Sequence, residues 1–206
     1  AAGEGHTVLI RSDGSAVACG YNRHGQCIIP ELPEGLTYVH VAAGMGHTVL
    51  IRSDGSAVAC GDNRNGECSL PELPEGLTYV HVAAGMCHTV LIRSDGSAVA
   101  CGYNRHGQCI IPELPEGLTY VHVAAGGGHT VLIRSDGSAV ACGDNRDGQC
   151  CLPELPEGLT YVHVAEGDCH TVLIRSDGSA VACGYNRHGS CIIPELPEGL
   201  TYVHVA

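Results

Sequence analysis

A unit of 41 residues recurs five times along the chain, and this regularity constrains the fold more than any other feature of the sequence. Its most constant part runs from His6 to Gly20, and the histidine His6 returns at His47, His88, His129 and His170. Self-similarity at this period is typical of solenoids and propellers, in which each unit buries its apolar surface against its neighbours. We predict one domain made of five repeats, residues 1–41, 42–82, 83–123, 124–164 and 165–206.

Each repeat contains short apolar segments separated by turn residues, and no amphipathic stretch of helical length. In the first repeat, residues 6–11, 16–19, 27–29 and 38–42 are predicted to be strands. Asp13-Gly14 provides the tight bend of a hairpin, and Pro30 ends the third strand because proline cannot donate to a sheet. Four short strands in about 40 residues are typical of one β-propeller blade.

The sequence therefore predicts an all-β fold, a five-bladed β-propeller of four-stranded antiparallel blades. The chain begins just before the strand of His6 and ends on the segment Thr201 to Ala206. The first blade then lacks one strand, and the last residues supply a spare one. We expect this C-terminal strand to complete the N-terminal blade and close the ring, which would remove two unpaired sheet edges.

The repeats differ mainly in two loops. The loop before the histidine strand reads Glu4-Gly5, Met45-Gly46, Met86-Cys87, Gly127-Gly128 and Asp168-Cys169. The loop after the second strand alternates between tyrosine and aspartate at its first position. In an up-and-down blade both loops emerge at the same end, so we expect them on one face of the propeller, the variable face. The constant turns would lie on the opposite face, the constant face.

Loops on a rigid scaffold commonly carry binding residues, and the variable face is therefore the predicted binding surface. The candidate binding residues are Tyr21, Arg23, His24, Asp62, Arg64, Tyr103, Arg105, His106, Asp144, Arg146, Tyr185, Arg187 and His188. Tyrosine adds rigid, amphipathic contact area to such a loop. The alternative is that these loops are solvated turns that their Asn and Gly residues merely shape.

The charge distribution limits the class of partner. The chain has a formal net charge of −12 and no lysine, and by our assignment the constant face carries −10 and the variable face −2. Nucleic-acid binding needs clustered lysine and arginine, so we expect no nucleic-acid partner. A basic protein tail would suit the constant face, or its acids simply keep the protein in solution. No stretch has the ~18 apolar residues of a membrane span, so no membrane contact is expected.

No catalytic or metal-binding pattern stands out. A ring of five histidines, His40 and its equivalents, could hold a metal, but each is more simply a buried imidazole bonded within its own blade. The spacing of Cys19 and Cys27 matches no usual zinc site, and a buried thiol pair is favoured over a disulfide. Thirteen cysteines without an export signal favour an intracellular, reducing compartment. We expect no cofactor, no enzymatic activity and a monomer.

The pattern from Ala-Ala-Gly through His-Thr-Val-Leu-Ile, Ser-Asp-Gly and Asn-x-x-Gly-Gln resembles the repeat of the regulator of chromosome condensation family. The resemblance covers the whole chain and implies a propeller. Where that family usually has tryptophan before the glycine, this chain has cysteine, at Cys19, Cys60, Cys101, Cys142 and Cys183.

Three functions are consistent with these features. The first is a non-catalytic scaffold that binds a protein partner through the variable face. The resemblance implies a second, guanine-nucleotide exchange or substrate recognition within a ubiquitin ligase. Equal repeat lengths leave no inserted wedge, which disfavours exchange. The third is a purely structural repeat, natural or engineered, with no dedicated partner.

Overall fold

A computed structural model gives the fold of the protein and describes residues 1–205. These residues form fourteen strands and no helix, and therefore no helix that could span a membrane. The strands are β1 (His6–Ile10), β2 (Ala16–Gly20), β3 (Tyr38–Ala43), β4 (His47–Arg52), β5 (Ala57–Gly61), β6 (Tyr79–Ala84), β7 (His88–Arg93), β8 (Ala98–Gly102), β9 (Tyr120–Ala125), β10 (His129–Arg134), β11 (Ala139–Gly143), β12 (Tyr161–Glu166), β13 (His170–Arg175) and β14 (Ala180–Gly184).

The strands form five antiparallel sheets, one for each repeat. The first sheet contains only β1 and β2, and the others are three-stranded, in the orders β3-β4-β5, β6-β7-β8, β9-β10-β11 and β12-β13-β14. The turn between β4 and β5 shows how the sequence directs each hairpin. The Asp54 carboxylate accepts a bond from the Ser56 amide at 2.9 Å, and Gly55 has a φ of 81°, which glycine adopts without steric cost. Three of the four predicted strands are confirmed in repeats 1 to 4, and two of them in repeat 5, where residues 201–205 form no strand.

The predicted strand at residues 27–29 is wrong, because the loop itself satisfies the backbone groups of this segment. The Cys27 amide donates to Asn22 Oδ1 at 2.9 Å, and the Ile28 amide donates to the Gly25 carbonyl at 2.9 Å. The Pro30 carbonyl accepts a bond from the Tyr38 hydroxyl at 2.6 Å. These groups are therefore unavailable to a fourth strand, and the blades are three-stranded.

The predicted closure by the C-terminal strand is also not formed within residues 1–205. The amide of Tyr202 donates to Gly178 O in its own repeat at 2.8 Å, and the ring of His204 meets that of His163 edge to face. The place beside β1 is taken by Ala1, whose carbonyl accepts from the Val8 amide at 3.0 Å. No backbone bond joins residues 201–205 to β1.

The apolar core lies between neighbouring sheets. Ile51 of one sheet packs with Tyr79 and Leu91 of the next, and the same cluster recurs at the following two junctions. The central strands β4, β7 and β10 are almost fully buried. Each sheet is therefore stabilised mainly by the sheets on either side of it, as the nearly continuous apolar segments predict.

A buried polar relay crosses every junction. His47 Nε2 lies 3.0 Å from Thr89 Oγ1 of the next repeat, and Thr89 Oγ1 donates its own hydrogen to the Glu67 carbonyl at 2.7 Å. Because the threonine hydrogen is used, His47 must donate from Nε2, which leaves Nδ1 unprotonated. Equivalent contacts join His6 to Thr48, His88 to Thr130 and His129 to Thr171.

Candidate functional site

The two variable loops of each repeat lie side by side at one end of their sheet. The Asp62 amide donates to the Gly46 carbonyl at 2.8 Å, and the Tyr103 amide donates to the Cys87 carbonyl at 2.8 Å. These bonds continue the sheet one step beyond its last strand pair, because both loops leave the sheet at the same end. The two variable loops of a repeat therefore lie on the same face, as the blade topology predicts.

The variable loops of several repeats converge on one cavity of about 420 Å³. It brings together four of the predicted binding residues, Tyr103, His106, Asp144 and Arg146. Its remaining lining is Asn65, Met86, Cys87, Gly127, Gly128, Asp168 and Cys169. The other nine predicted residues lie in loops of the same face and do not line this cavity: Tyr21, Arg23, His24, Asp62, Arg64, Arg105, Tyr185, Arg187 and His188.

Two glycines, Gly127 and Gly128, let the loops that line this cavity approach closely. The amide of Gly127 donates to the Asp168 carbonyl at 3.1 Å, and a Cβ at Gly127 would lie only 2.6 Å from that oxygen. In repeat 2 the same position is Met45. Sequence reasoning identified this loop as variable but missed the glycine pair as the feature that shapes the site.

An ion pair forms one wall of the cavity. Arg146 Nε donates to Asp144 Oδ1 at 2.9 Å and to Asp144 Oδ2 at 3.0 Å, while the guanidinium remains 76% exposed and the carboxylate 10%. Hydrogen bonds from Arg146 lower the pKa of Asp144 to about 2. Asp144 is therefore ionised and already paired at neutral pH. Asp62 and Arg64 form the equivalent pair in repeat 2.

A tyrosine and a histidine also line the cavity. The rings of Tyr103 and His106 meet edge to face, with centroids 6.1 Å apart at 60°. The same arrangement recurs in Tyr21 and His24 and in Tyr185 and His188. Repetition of this geometry in three separate loops indicates that the loop backbone fixes it, so these side chains are presented in a defined orientation.

A second cavity, of about 260 Å³, lies where the loops before the histidine strands of all five repeats meet. Glu166 borders it, although its side chain is fully buried and its carboxylate makes no hydrogen bond within the described residues. His129 Nε2 lies 3.6 Å from Glu166 Oε2. Burial raises the pKa of Glu166 well above its usual range.

Two acids assigned to the variable face are thus not surface charges. Glu166 is buried, and Glu67 is 1% exposed, with its Oε2 accepting a bond from the Asn65 amide at 2.8 Å. Without them, five arginines and five carboxylates remain on that face, which leaves it formally neutral. The constant face retains the acidic excess of the chain.

Replacing Glu166 by alanine, the residue at the same position in repeats 2 to 4, should stabilise the protein. Removing a buried carboxyl without a hydrogen-bond partner is expected to raise the free energy of unfolding at pH 7 by about 1–3 kcal/mol. Urea unfolding measures this change. The exposed Glu157→Ala serves as a control and should shift the value by less than about 0.5 kcal/mol. A loss of stability in Glu166→Ala would contradict the account of this residue.

The histidine set of His40 differs from the prediction, because these rings contact one another in tilted pairs between repeats instead of bonding within a blade. His40, His81, His122 and His163 follow one another with ring centroids 5.7–5.8 Å apart, and His40 itself is exposed. No three His, Cys, Asp or Glu side chains within residues 1–205 converge as metal ligands.

The cysteines are free thiols, most of them half-buried. Burial is the main cause that raises the pKa of Cys101 to about 12 and that of Cys109 to about 11. Such thiols carry little thiolate at neutral pH and are poor nucleophiles. They act as small apolar side chains between the sheets.

Comparison with known proteins supports the fold. The chain matches the solved structure of Prp20p from Saccharomyces cerevisiae with a TM-score of 0.76 and 19% identity, over 89% of this chain and 56% of that one. It matches human WBSCR16 with a TM-score of 0.77 and 17% identity, over 98% and 63%. The ectodomain of the Physcomitrella patens receptor kinase CR4 matches with a TM-score of 0.72 and 17% identity, over 98% of this chain and 53% of that one.

The chain therefore spans little more than half the length of these structures, which share its β-propeller fold. No curated protein sequence matches it. The family model of the Regulator of chromosome condensation (RCC1) repeat matches residues 1–26, 38–67, 79–108 and 120–149. These segments make up more than half of the chain, and the protein belongs to the regulator of chromosome condensation repeat family.

Proposed function

We propose that the protein is a non-catalytic interaction module that binds a protein partner through its variable face. The observation that carries this proposal is the cavity of about 420 Å³ between repeats 3 and 4, in which variable loops from several repeats meet. Ligand-binding cavities are commonly of this size and combine apolar lining with a few polar groups. Here Met86 and Cys87 form the apolar part, and Tyr103, His106 and Arg146 supply the polar groups.

Protein binding is a known use of this fold. Prp20p binds Gsp1p and histones. Guanine-nucleotide exchange is a less well supported function for this chain. All five repeats have the same length, and none carries an insertion that could open a nucleotide site in a partner. The paired Asp144 and Arg146 also argue for recognition over chemistry, since a carboxylate held at a pKa of about 2 is a weak base at neutral pH.

A selection from a displayed library of random 12-residue peptides tests the proposal and does not require a named partner. Peptides enriched on the wild-type protein are measured again against Tyr103→Ala/His106→Ala. We expect this variant to bind them at least about tenfold more weakly, because exposed aromatic side chains dominate such interfaces.

The matched control is Glu113→Ala/Glu116→Ala, which removes two exposed acids of the constant face. It should change affinity by less than about twofold if binding occurs on the variable face. Unchanged melting temperatures would establish that both variants are folded. Enrichment of no peptide, or loss of binding only in the control, would reject the proposal.

A further inference from the structure

The loops that follow the second strand of each hairpin are of two kinds. We name residues 21–28, 103–110 and 185–192 the Tyr loops and residues 62–69 and 144–151 the Asp loops. Each Tyr loop ends in an isoleucine that is largely exposed: Ile28 at 67%, Ile110 at 66% and Ile192 at 70%. The Asp loops have Ser69 and Cys151 there. Three large apolar side chains are thus exposed at equivalent positions.

Hydrogen bonds within the Tyr loops fix the backbone that carries these isoleucines. In repeat 3, the Cys109 amide donates to Asn104 Oδ1 at 2.9 Å, and the Ile110 amide donates to the Gly107 carbonyl at 2.9 Å. The backbone of Ile110 is therefore held in place although little of its side chain is buried. A contact residue on a preorganised backbone costs little backbone entropy on binding.

The arginine of the loop has a different environment in the two kinds of loop. In the Asp loops, Arg64 and Arg146 each bond the aspartate two residues earlier. In the Tyr loops that aspartate is replaced by Tyr21, Tyr103 or Tyr185. Within residues 1–205, Arg23, Arg105 and Arg187 are exposed and make no ion pair or hydrogen bond through their side chains.

We propose that the Tyr loops are three equivalent docking patches for an acidic segment of a partner protein that also carries apolar side chains. This inference rests on the proposed function and specifies its partner. The Asp loops show where a carboxylate binds the guanidinium of the loop arginine. In the Tyr loops, the partner supplies this carboxylate. Apolar side chains of the same segment then pack against the isoleucine and the edge of the tyrosine ring.

The charge distribution favours this orientation. An acidic segment is repelled by the constant face, which carries −10, and meets a formally neutral variable face with three free guanidiniums. The net charge of −12 and the absence of lysine disfavour nucleic acid as the ligand. Because the patches recur in repeats 1, 3 and 5, a long partner can engage more than one of them, which increases its apparent affinity.

Titration calorimetry with a synthetic peptide of alternating Glu-Leu-Asp-Phe units tests the inference, in buffer of about 50 mM salt where surface charges are little screened. Arg23→Gln/Arg105→Gln/Arg187→Gln should bind at least about tenfold more weakly than the wild type. Ile28→Ser/Ile110→Ser/Ile192→Ser introduces the serine that repeat 2 has at this position, Ser69. This variant should weaken binding by a similar factor. The control Arg11→Gln removes an exposed arginine of the constant face, and should change affinity by less than about twofold.

Two further probes separate the outcomes. A peptide of alternating Gln-Leu-Asn-Phe units should bind at least about tenfold more weakly, and equal binding would overturn the requirement for carboxylates. Competition by single-stranded oligothymidine that depends on the same three arginines would assign the patches to nucleic acid and overturn the inference. If library peptides bind the variable face but the acidic peptide does not, the inference fails and the proposed function stands. If no peptide binds that face, the proposed function fails.

Discussion

Gly85→Ala is expected to lower the free energy of unfolding by about 3 kcal/mol or more. A Cβ on Gly85 would lie 2.4 Å from the Gly126 carbonyl oxygen of the next repeat and 2.4 Å from Cε1 of His88. Neither neighbour can move freely, because one is backbone and the other is held by Thr130 at 3.0 Å. The substitution would therefore force two sheets apart. The midpoint and slope of urea unfolding measure the loss.

The control for this substitution is Gly117→Ala. Gly117 has a φ of 81°, and a Cβ there would have no neighbour within 4 Å. It carries only the cost of a left-handed backbone for alanine, about 1 kcal/mol. Equal losses in the two variants would show that contact between repeats is not what makes Gly85 essential.

Acidification is expected to destabilise the protein steeply between pH 6.5 and pH 4. Burial lowers the pKa of His47, His88 and His129 to about 4. These histidines bind a proton near pH 6.5 in the unfolded state but only near pH 4 in the folded state. The free energy of unfolding therefore falls as the pH decreases through this interval. Each histidine contributes about 1.4 kcal/mol per pH unit there.

The relay between repeats explains why protonation is unfavourable. Nε2 already donates to threonine, so an added proton must go to Nδ1, which is buried and has no acceptor within the described residues. Glu166 acts in the opposite direction, because a raised pKa favours the folded state as the pH decreases. Urea unfolding at pH 7, 6 and 5 is therefore best measured in Glu166→Ala.

His88→Gln separates the histidines from other titrating groups. Glutamine can still donate to Thr130 but cannot be protonated, so the variant should be less stable at pH 7 and less sensitive to pH. The slope of its free energy of unfolding against pH should be smaller than that of the parent protein by about 1.4 kcal/mol per pH unit. Stability that is constant from pH 7 to pH 5 would contradict the proposed role of the relay.

Much of the fold follows from the sequence because the repeat makes local patterns unambiguous. Asp54-Gly55 fixes a hairpin, and the apolar segments around it become the strands of one sheet. The strand predicted at Cys27 failed because side-chain capping by Asn22 competes with strand pairing, and apolar character alone does not reveal this competition. The pairing of the C-terminal segment with β1 is not formed within residues 1–205, where Ala1 bonds to Val8 instead.

The candidate site could be predicted in part. Variation among repeats identified the loops of Tyr103 and Asp144, and the geometry of a blade placed them on one face. Which of these loops meet around a cavity depends on the packing of neighbouring repeats and on the absent side chains of Gly127 and Gly128. The contrast between Ile110 and Ser69 is visible in the sequence, but its meaning depends on exposure, which only the structure provides.

Amide hydrogen exchange of the protein bound to a library-selected peptide tests the central claim most directly. If the variable face is the binding surface, exchange should slow in residues 62–69, 103–110 and 144–151. It should stay unchanged in the constant turns 53–56, 94–97 and 135–138. Slowed exchange confined to these constant turns would contradict the claim, because the peptide would then bind the constant face.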